Sequence, residues 1–197
     1  MDRTLILDPA ACALVVIDLQ RGIVASPTAP HAVDDVVANA ARLADALRGV
    51  GGLVVLVRVS ARADGKDALR PTLDPDSQQP AAARAPDWAE LVPALAGHAD
   101  DLVLTKRQWG AFYGTELDLQ LRRRGVRTIV LCGISTNVGV ESTARDAYER
   151  GYDQVFVEDA MAARSAEEHA HSVTRIFPRI GRIRSTAEVV AALRPAR

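Results

Sequence analysis

The chain is poor in the residues that announce the simplest functional classes. It has 2 cysteines in 197 residues, Cys12 and Cys132, and both lie in apolar runs. That excludes a disulfide framework and a cysteine-rich metal cluster, and it reads as buried thiols of a cytoplasmic protein. Aromatic residues make up only 4% of the chain. Charge of one sign is missing too: the net charge is −1, which leaves no long-range field to gather nucleic acid or an anionic membrane. No apolar run is long enough to span a bilayer, since Ala10–Ile17 is stopped by Asp18. The first residues show no basic segment followed by an uninterrupted apolar core, so no signal peptide is expected. No GxGxxG or GxxxxGK[ST] motif supports nucleotide binding. The 4 histidines, His31, His98, His169 and His171, are scattered. His169 and His171 would point to different faces of a helix, so no metal and no cofactor are expected.

What is present is an alternation of short apolar runs with amphipathic stretches. With 48% hydrophobic and 25% charged residues, the chain fits one globular domain covering residues 1–197. Strands are predicted at Ala13–Ile17, Leu53–Val59, Asp101–Thr105, Thr128–Cys132 and Gln154–Val157. Helices are predicted at Val33–Val50, Trp88–Ala96, Thr115–Arg124, Val138–Arg150, Ala166–Phe177 and Ser185–Leu193. The strands are apolar almost throughout, as in parallel sheets covered on both faces, and the alternation implies right-handed βαβ units. The segment Ala61–Pro86 carries four prolines among polar residues. A loop of that length is a lid, a subunit contact or a disordered excursion.

Ligands of parallel α/β sheets bind beyond the carboxyl ends of the strands. Asp18 follows Val15-Val16-Ile17 and is either a partly buried acid with a raised pKa or a turn or capping residue. Lys106 ends another strand; alone it reads as a solvated lysine, but two opposite charges at two strand ends can meet at one rim. Arg58 ends a third and is suited to a substrate carboxylate or to a salt bridge with a neighbouring loop. Trp109, Phe112 and Tyr113 follow Lys106 and are candidates to wall an organic substrate, or core contacts. In Thr128–Ala147 an apolar strand crosses a short polar elbow into a helix, which aims backbone N–H groups at the helix mouth. Ser135 and Gly139 are the candidate oxyanion-site and nucleophile-position residues there. The hydroxyls of Ser135, Thr136, Ser142 and Thr143 have no visible histidine base and read as caps or core contacts.

These segments resemble the isochorismatase-like hydrolases, the cysteine hydrolase superfamily. Val16-Ile17-Asp18-Leu19-Gln20 is similar to its first-strand motif, Lys106-Arg107 with Gly110–Thr115 to its lysine motif, and Gly133–Val140 to its elbow. Thr143-Ala144-Arg145-Asp146-Ala147, Gly151-Tyr152 and Val157-Glu158-Asp159-Ala160 continue the likeness in order. The resemblance implies a three-layer α/β/α fold with a six-stranded parallel sheet and a homodimer or higher homo-oligomer. It implies Asp18 and Lys106 as active-site residues, and it adds Gln20 and Asn137 to the substrate-binding candidates. It also implies a cis peptide at Ile134–Ser135. Nicotinamidase-type relatives hold a metal through Asp and two His near the second strand; Val57–Arg62 has no histidine.

Most of the superfamily attacks an amide with a Cys at the position of Gly139. True isochorismatases, which cleave a vinyl ether to release pyruvate, resemble this chain in having glycine there. A carboxylic acid protonates the vinyl carbon and water captures the cation. Their usual elbow has an aromatic residue and a histidine that this chain lacks, so the closer resemblance is to Cys-less members of the superfamily. Glycine is expected to leave space for water or substrate where sulfur would stand. The resemblance implies hydrolysis of a small carboxylate-bearing molecule, with Asp18 as acid/base and Lys106 as its electrostatic partner. The alternatives are a catalytically silent binding module and an amidohydrolase using water or an elbow hydroxyl.

Overall fold

The computed structural model describes residues 5–74 and 84–194. The apolar runs become β1 Cys12–Ile17, β2 Leu53–Val59, β3 Leu102–Lys106, β4 Thr128–Ile134, β5 Asp153–Ala162 and β6 Arg182–Arg184. They form one sheet in the order β3-β2-β1-β4-β5-β6, and every neighbouring pair is parallel. The chain winds outward from β1 to β3, returns to the other side of β1 as β4, and winds outward again. The strand order therefore reverses between β1 and β4, and the crevice beyond their carboxyl ends is the expected ligand site of such a sheet.

Helices flank the sheet as a three-layer α/β/α architecture. α2 (Val33–Gly49) buries Val36, Ala40, Leu43, Ala44 and Leu47, a stripe at helical spacing, and packs against α6 (Thr186–Ala192) and the central strands. The remaining helices are α1 (Arg21–Val24), α3 (Leu117–Arg123), α4 (Glu141–Glu149) and α5 (Ala166–His171). All six residues of β1 are buried, which explains why its sequence does not alternate. Among the described residues no helix is long and apolar enough to cross a membrane.

Several elements depart from the sequence prediction. The segment Trp88–Ala96 is not a helix: Pro93 cannot supply the N–H a helix interior needs. Its backbone instead pairs with the chain after β1, through Gly22 N to Trp88 O at 2.9 Å, Arg21 N to Glu90 O at 2.8 Å and Val92 N to Leu19 O at 3.1 Å. β6 was not predicted, because an edge strand of three residues with one apolar side chain, Ile183, has no apolar run to read. The helix predicted from Val138 begins as a π-turn over Thr136–Val140 before α4, and the one predicted from Ala166 breaks into α5, a π-turn and a 3-10 turn. Of the loop predicted at Ala61–Pro86, residues 75–83 lie outside the described part; the rest carries no strand or α-helix.

Candidate functional site at the switch point

Asp18 leaves β1 with φ 53°, a left-handed conformation that costs a non-glycine residue about 1–3 kcal/mol and persists only when its surroundings impose it. The imposition is visible: Asp18 N donates to Val57 O at 2.9 Å, and Asp18 O accepts from Gln20 N at 2.8 Å. The turn puts the carboxylate over the sheet end, 6% exposed. Lys106, the last residue of β3, reaches it across β2 with Nζ 2.8 Å from Asp18 Oδ2. The lysine is 1% exposed, and its ammonium also donates to Trp109 O. Asp18 Oδ1 is buried with no hydrogen-bond partner. Burial pushes the Asp18 carboxyl up to about 6, against the opposing pull of Lys106.

The elbow closes the third side. Gly133, φ 123°, lets β4 pass β1 so tightly that a Cβ there would stand 2.1 Å from Ile17 O. The Ile134–Ser135 peptide is cis, and the π-turn follows it. A Cβ at Gly139 would lie 2.8 Å from Ile17 Cγ2, 3.0 Å from Lys106 Nζ and 3.1 Å from Asp18 Oδ2. A Cβ there would press on the acid–lysine pair, while Gly139 itself borders the cavity. Thr143 Oγ1 donates to Gly139 O at 2.7 Å and accepts from Ala111 N at 3.1 Å, tying the elbow to the loop after Lys106.

A cavity of about 340 Å³ opens over these groups. Of the sequence candidates, Asp18, Lys106, Ser135, Gly139 and Trp109 line it; the others do not. Gln20 is fully buried and acts as a clip, its Oε1 accepting from Val59 N at 2.8 Å and its Nε2 donating to Val59 O at 3.0 Å and to Trp88 O at 3.2 Å. Arg58 turns to the neighbouring strand, Nε to Thr105 Oγ1 at 3.0 Å. Phe112 is buried against Tyr152, with ring centroids 5.8 Å apart. Tyr113 projects away, 77% exposed. Asn137 lies off the cavity with a buried, unpartnered Oδ1. The sequence reading missed Trp88, Arg84, Arg107, Gln108 and Arg164, which also line the cavity. Arg107 and Gln108 were legible as neighbours of Lys106; Trp88 and Arg84 come from a stretch whose folding-back no local pattern announces. Arg84 lies over the Trp88 ring at 4.0 Å.

The histidines are not all scattered. His31 Nε2 lies 2.8 Å from Glu158 Oε1, and His169 Nε2 lies 3.0 Å from the same oxygen. His169 Nδ1 is 2.9 Å from the buried Thr136 Oγ1. Three potential donor atoms, from His31, Glu158 and His169, are within 4.8 Å of one another. Sequence gave no sign of this, since His31 and Glu158 are 127 residues apart.

A doubly wound parallel sheet with a buried carboxylate–lysine pair and a strand–elbow–helix at its switch point defines the class of small α/β/α hydrolases. The comparisons agree: a family model described as the isochorismatase domain matches residues 12–188, and the chain belongs to the isochorismatase family. It is 51% identical over 187 residues, 95% of this chain and 98% of the relative, to the uncharacterized isochorismatase family protein YecD of Escherichia coli O157:H7. Among solved structures, an isochorismatase family protein from Burkholderia thailandensis superposes with a TM-score of 0.90 at 46% identity, over 96% of this chain and 98% of that one. A cysteine hydrolase from Pseudomonas syringae superposes with a TM-score of 0.78 at 28% identity, over 98% of each chain.

Proposed function

We propose that this chain hydrolyses a small carboxylate-bearing molecule without a covalent cysteine intermediate, with Asp18 as the proton donor. The observation that carries this reading is the state of Asp18: one oxygen on Lys106, the other unpartnered, and the carboxyl raised to about 6. A buried acid of that kind keeps its proton up to about pH 6, well above an ordinary aspartate, and can deliver it. The thiol route is closed from both sides. Gly139 carries no nucleophile, and burial pushes the thiols of Cys12 and Cys132 up to about 12, far from thiolate.

With a vinyl ether the step balances simply. The Asp18 proton goes to the terminal vinyl carbon, leaving an oxocarbenium ion and a carboxylate held by Lys106. Water adds to the cation and returns a proton, and the hemiketal collapses to a ketone and an alcohol. Arg84 and Arg164 on the cavity wall supply cations for substrate carboxylates, whereas Arg107 is already paired with Asp67 at 2.5 Å. The test is a turnover screen of isochorismate, simple enol ethers and amides, repeated with Asp18→Asn. Turnover of an enol ether that disappears in the variant supports the reading. Hydrolysis unchanged by Asp18→Asn would sink it, and ligand-dependent thermal stabilisation without turnover would favour a silent binding module.

A further inference from the structure

The His31–Glu158–His169 cluster lies outside the cavity lining, and the reaction above does not use it. Its donors come from three separately anchored elements. His31 sits before α2, where Thr28 Oγ1 donates to His31 O at 2.8 Å and where Ala29 and Ala163 exchange backbone hydrogen bonds of 2.9 Å. Glu158 belongs to β5. His169 belongs to α5, whose start is fixed by the reciprocal Ser165–Glu168 capping box. The three donor positions are therefore set by the fold rather than by mobile side chains alone.

Two imidazoles and one carboxylate make a nitrogen-rich donor set. Magnesium and calcium prefer oxygen ligands; borderline-soft divalent ions such as zinc and cobalt prefer this one. The site is also reachable: His31 and Glu158 side chains are 29% and 35% exposed, whereas His169 is 4% exposed. Behind it, Thr136 Oγ1 at 2.9 Å from His169 Nδ1 is the outer partner that orients a ligating histidine.

We propose that His31, Glu158 and His169 form a three-ligand site for a zinc-class divalent ion, separate from the hydrolytic cavity. In the bound form both Nε2 lone pairs face the ion and each ring carries its proton on Nδ1. His169 Nδ1–H then donates to Thr136 Oγ1. Thr136 follows Ser135, which lines the cavity, so the ion braces the elbow from behind. Its role is to hold the elbow rather than to touch substrate.

The test uses the full chain stripped with a chelator and titrated with Zn²⁺ alone by calorimetry, with Co²⁺ visible absorption reporting the ligand field. The expected result is one ion per chain, a rise in Tm on binding, and at least a tenfold loss of affinity in His31→Ala. His171→Ala, an exposed histidine on the same helix, and Asp18→Asn should bind as the parent does. Circular dichroism checks that His31→Ala is folded; should it not fold, Glu158→Gln takes its place with the same expected loss. No binding by the parent chain overturns the proposal. So does binding that survives both variants, or one that falls with His171→Ala instead, because each leaves only a hydrogen-bonded cluster.

Discussion

Two carboxylates stand on opposite sides of the same elbow and behave oppositely. Asp18, beside Ser135, is almost wholly buried with one charged partner, and its carboxyl is raised to about 6. Glu158, joined to Thr136 through His169, is about a third exposed with two imidazole partners, and its carboxyl is lowered. The difference lies in the balance between desolvation and partners. A single ammonium, itself buried, does not offset the burial of Asp18, whereas two hydrogen bonds and some water do so for Glu158. One group is thereby suited to carry a proton, and the other to remain an anion.

The largest effect should come from destroying the first arrangement. Asp18→Asn is expected to lower kcat on the substrate found by the screen by about 10²–10⁴-fold, the usual contribution of a positioned acid, and to leave zinc affinity unchanged. Lys106→Met removes one member of a buried pair, so it should also lower the denaturation midpoint, by an amount equivalent to about 3–5 kcal/mol. Equal loss of turnover in His31→Ala would erase the distinction between the two sides.

Next in size is Gly139. A Cβ at Gly139 meets Ile17, Lys106 and Asp18, so Gly139→Cys is expected not to recreate a thiol hydrolase unless those side chains give way. Gly139→Ala should cost about 1–3 kcal/mol by overpacking, read as a fall in Tm of a few degrees. A Gly139→Cys variant that gained amidase activity and kept its Tm would show that the pair yields easily.

The two carboxylates should also be separable by pH. A raised Asp18 stabilises the fold fully below its unfolded value of 3.8, and that contribution is lost as pH rises through about 6. A lowered Glu158 does the reverse: its contribution is present above the unfolded value of 4.5 and is lost as pH falls through its lower folded value. Urea denaturation across pH 3–7 should therefore give differences of opposite slope for the parent against Asp18→Asn and against Glu158→Gln. The same Asp18 ionisation predicts that kcat/KM falls above about pH 6, because the donor must hold its proton.

The sheet was legible because its strands are buried on both faces and read as bare apolar runs. α2 was legible because one face of it is buried. The short edge strand and the Trp88–Ala96 segment were not, since the first has no apolar run and the second is governed by pairing with a distant turn. At the site, Asp18 and Lys106 were readable as charges at strand ends, but their direct contact depends on a left-handed turn that no residue type advertises. Gln20 is a substrate-binding candidate through the resemblance, and Phe112 reads from sequence as either a substrate wall or a core contact; both are buried. Their burial shows that neighbours of a site in sequence serve equally well as its supports. The histidine cluster was invisible for the opposite reason, its members being far apart in the chain.

The smallest prediction tests that last distinction within the cavity wall. Trp109 and Tyr113 are both exposed aromatics in the loop after Lys106, at 65% and 77%, and composition treats them alike. Only Trp109 lines the cavity, and its carbonyl receives the Lys106 ammonium. That backbone contact survives truncation of the side chain, so Trp109→Ala should spare kcat. It should raise KM about 2–10-fold, because an exposed ring loses only part of its contact area on truncation. Tyr113→Ala should change neither constant. Equal effects from the two would mean that the cavity closes around substrate along the whole loop, and the division between wall and support drawn from Phe112 and Tyr113 would need to be redrawn.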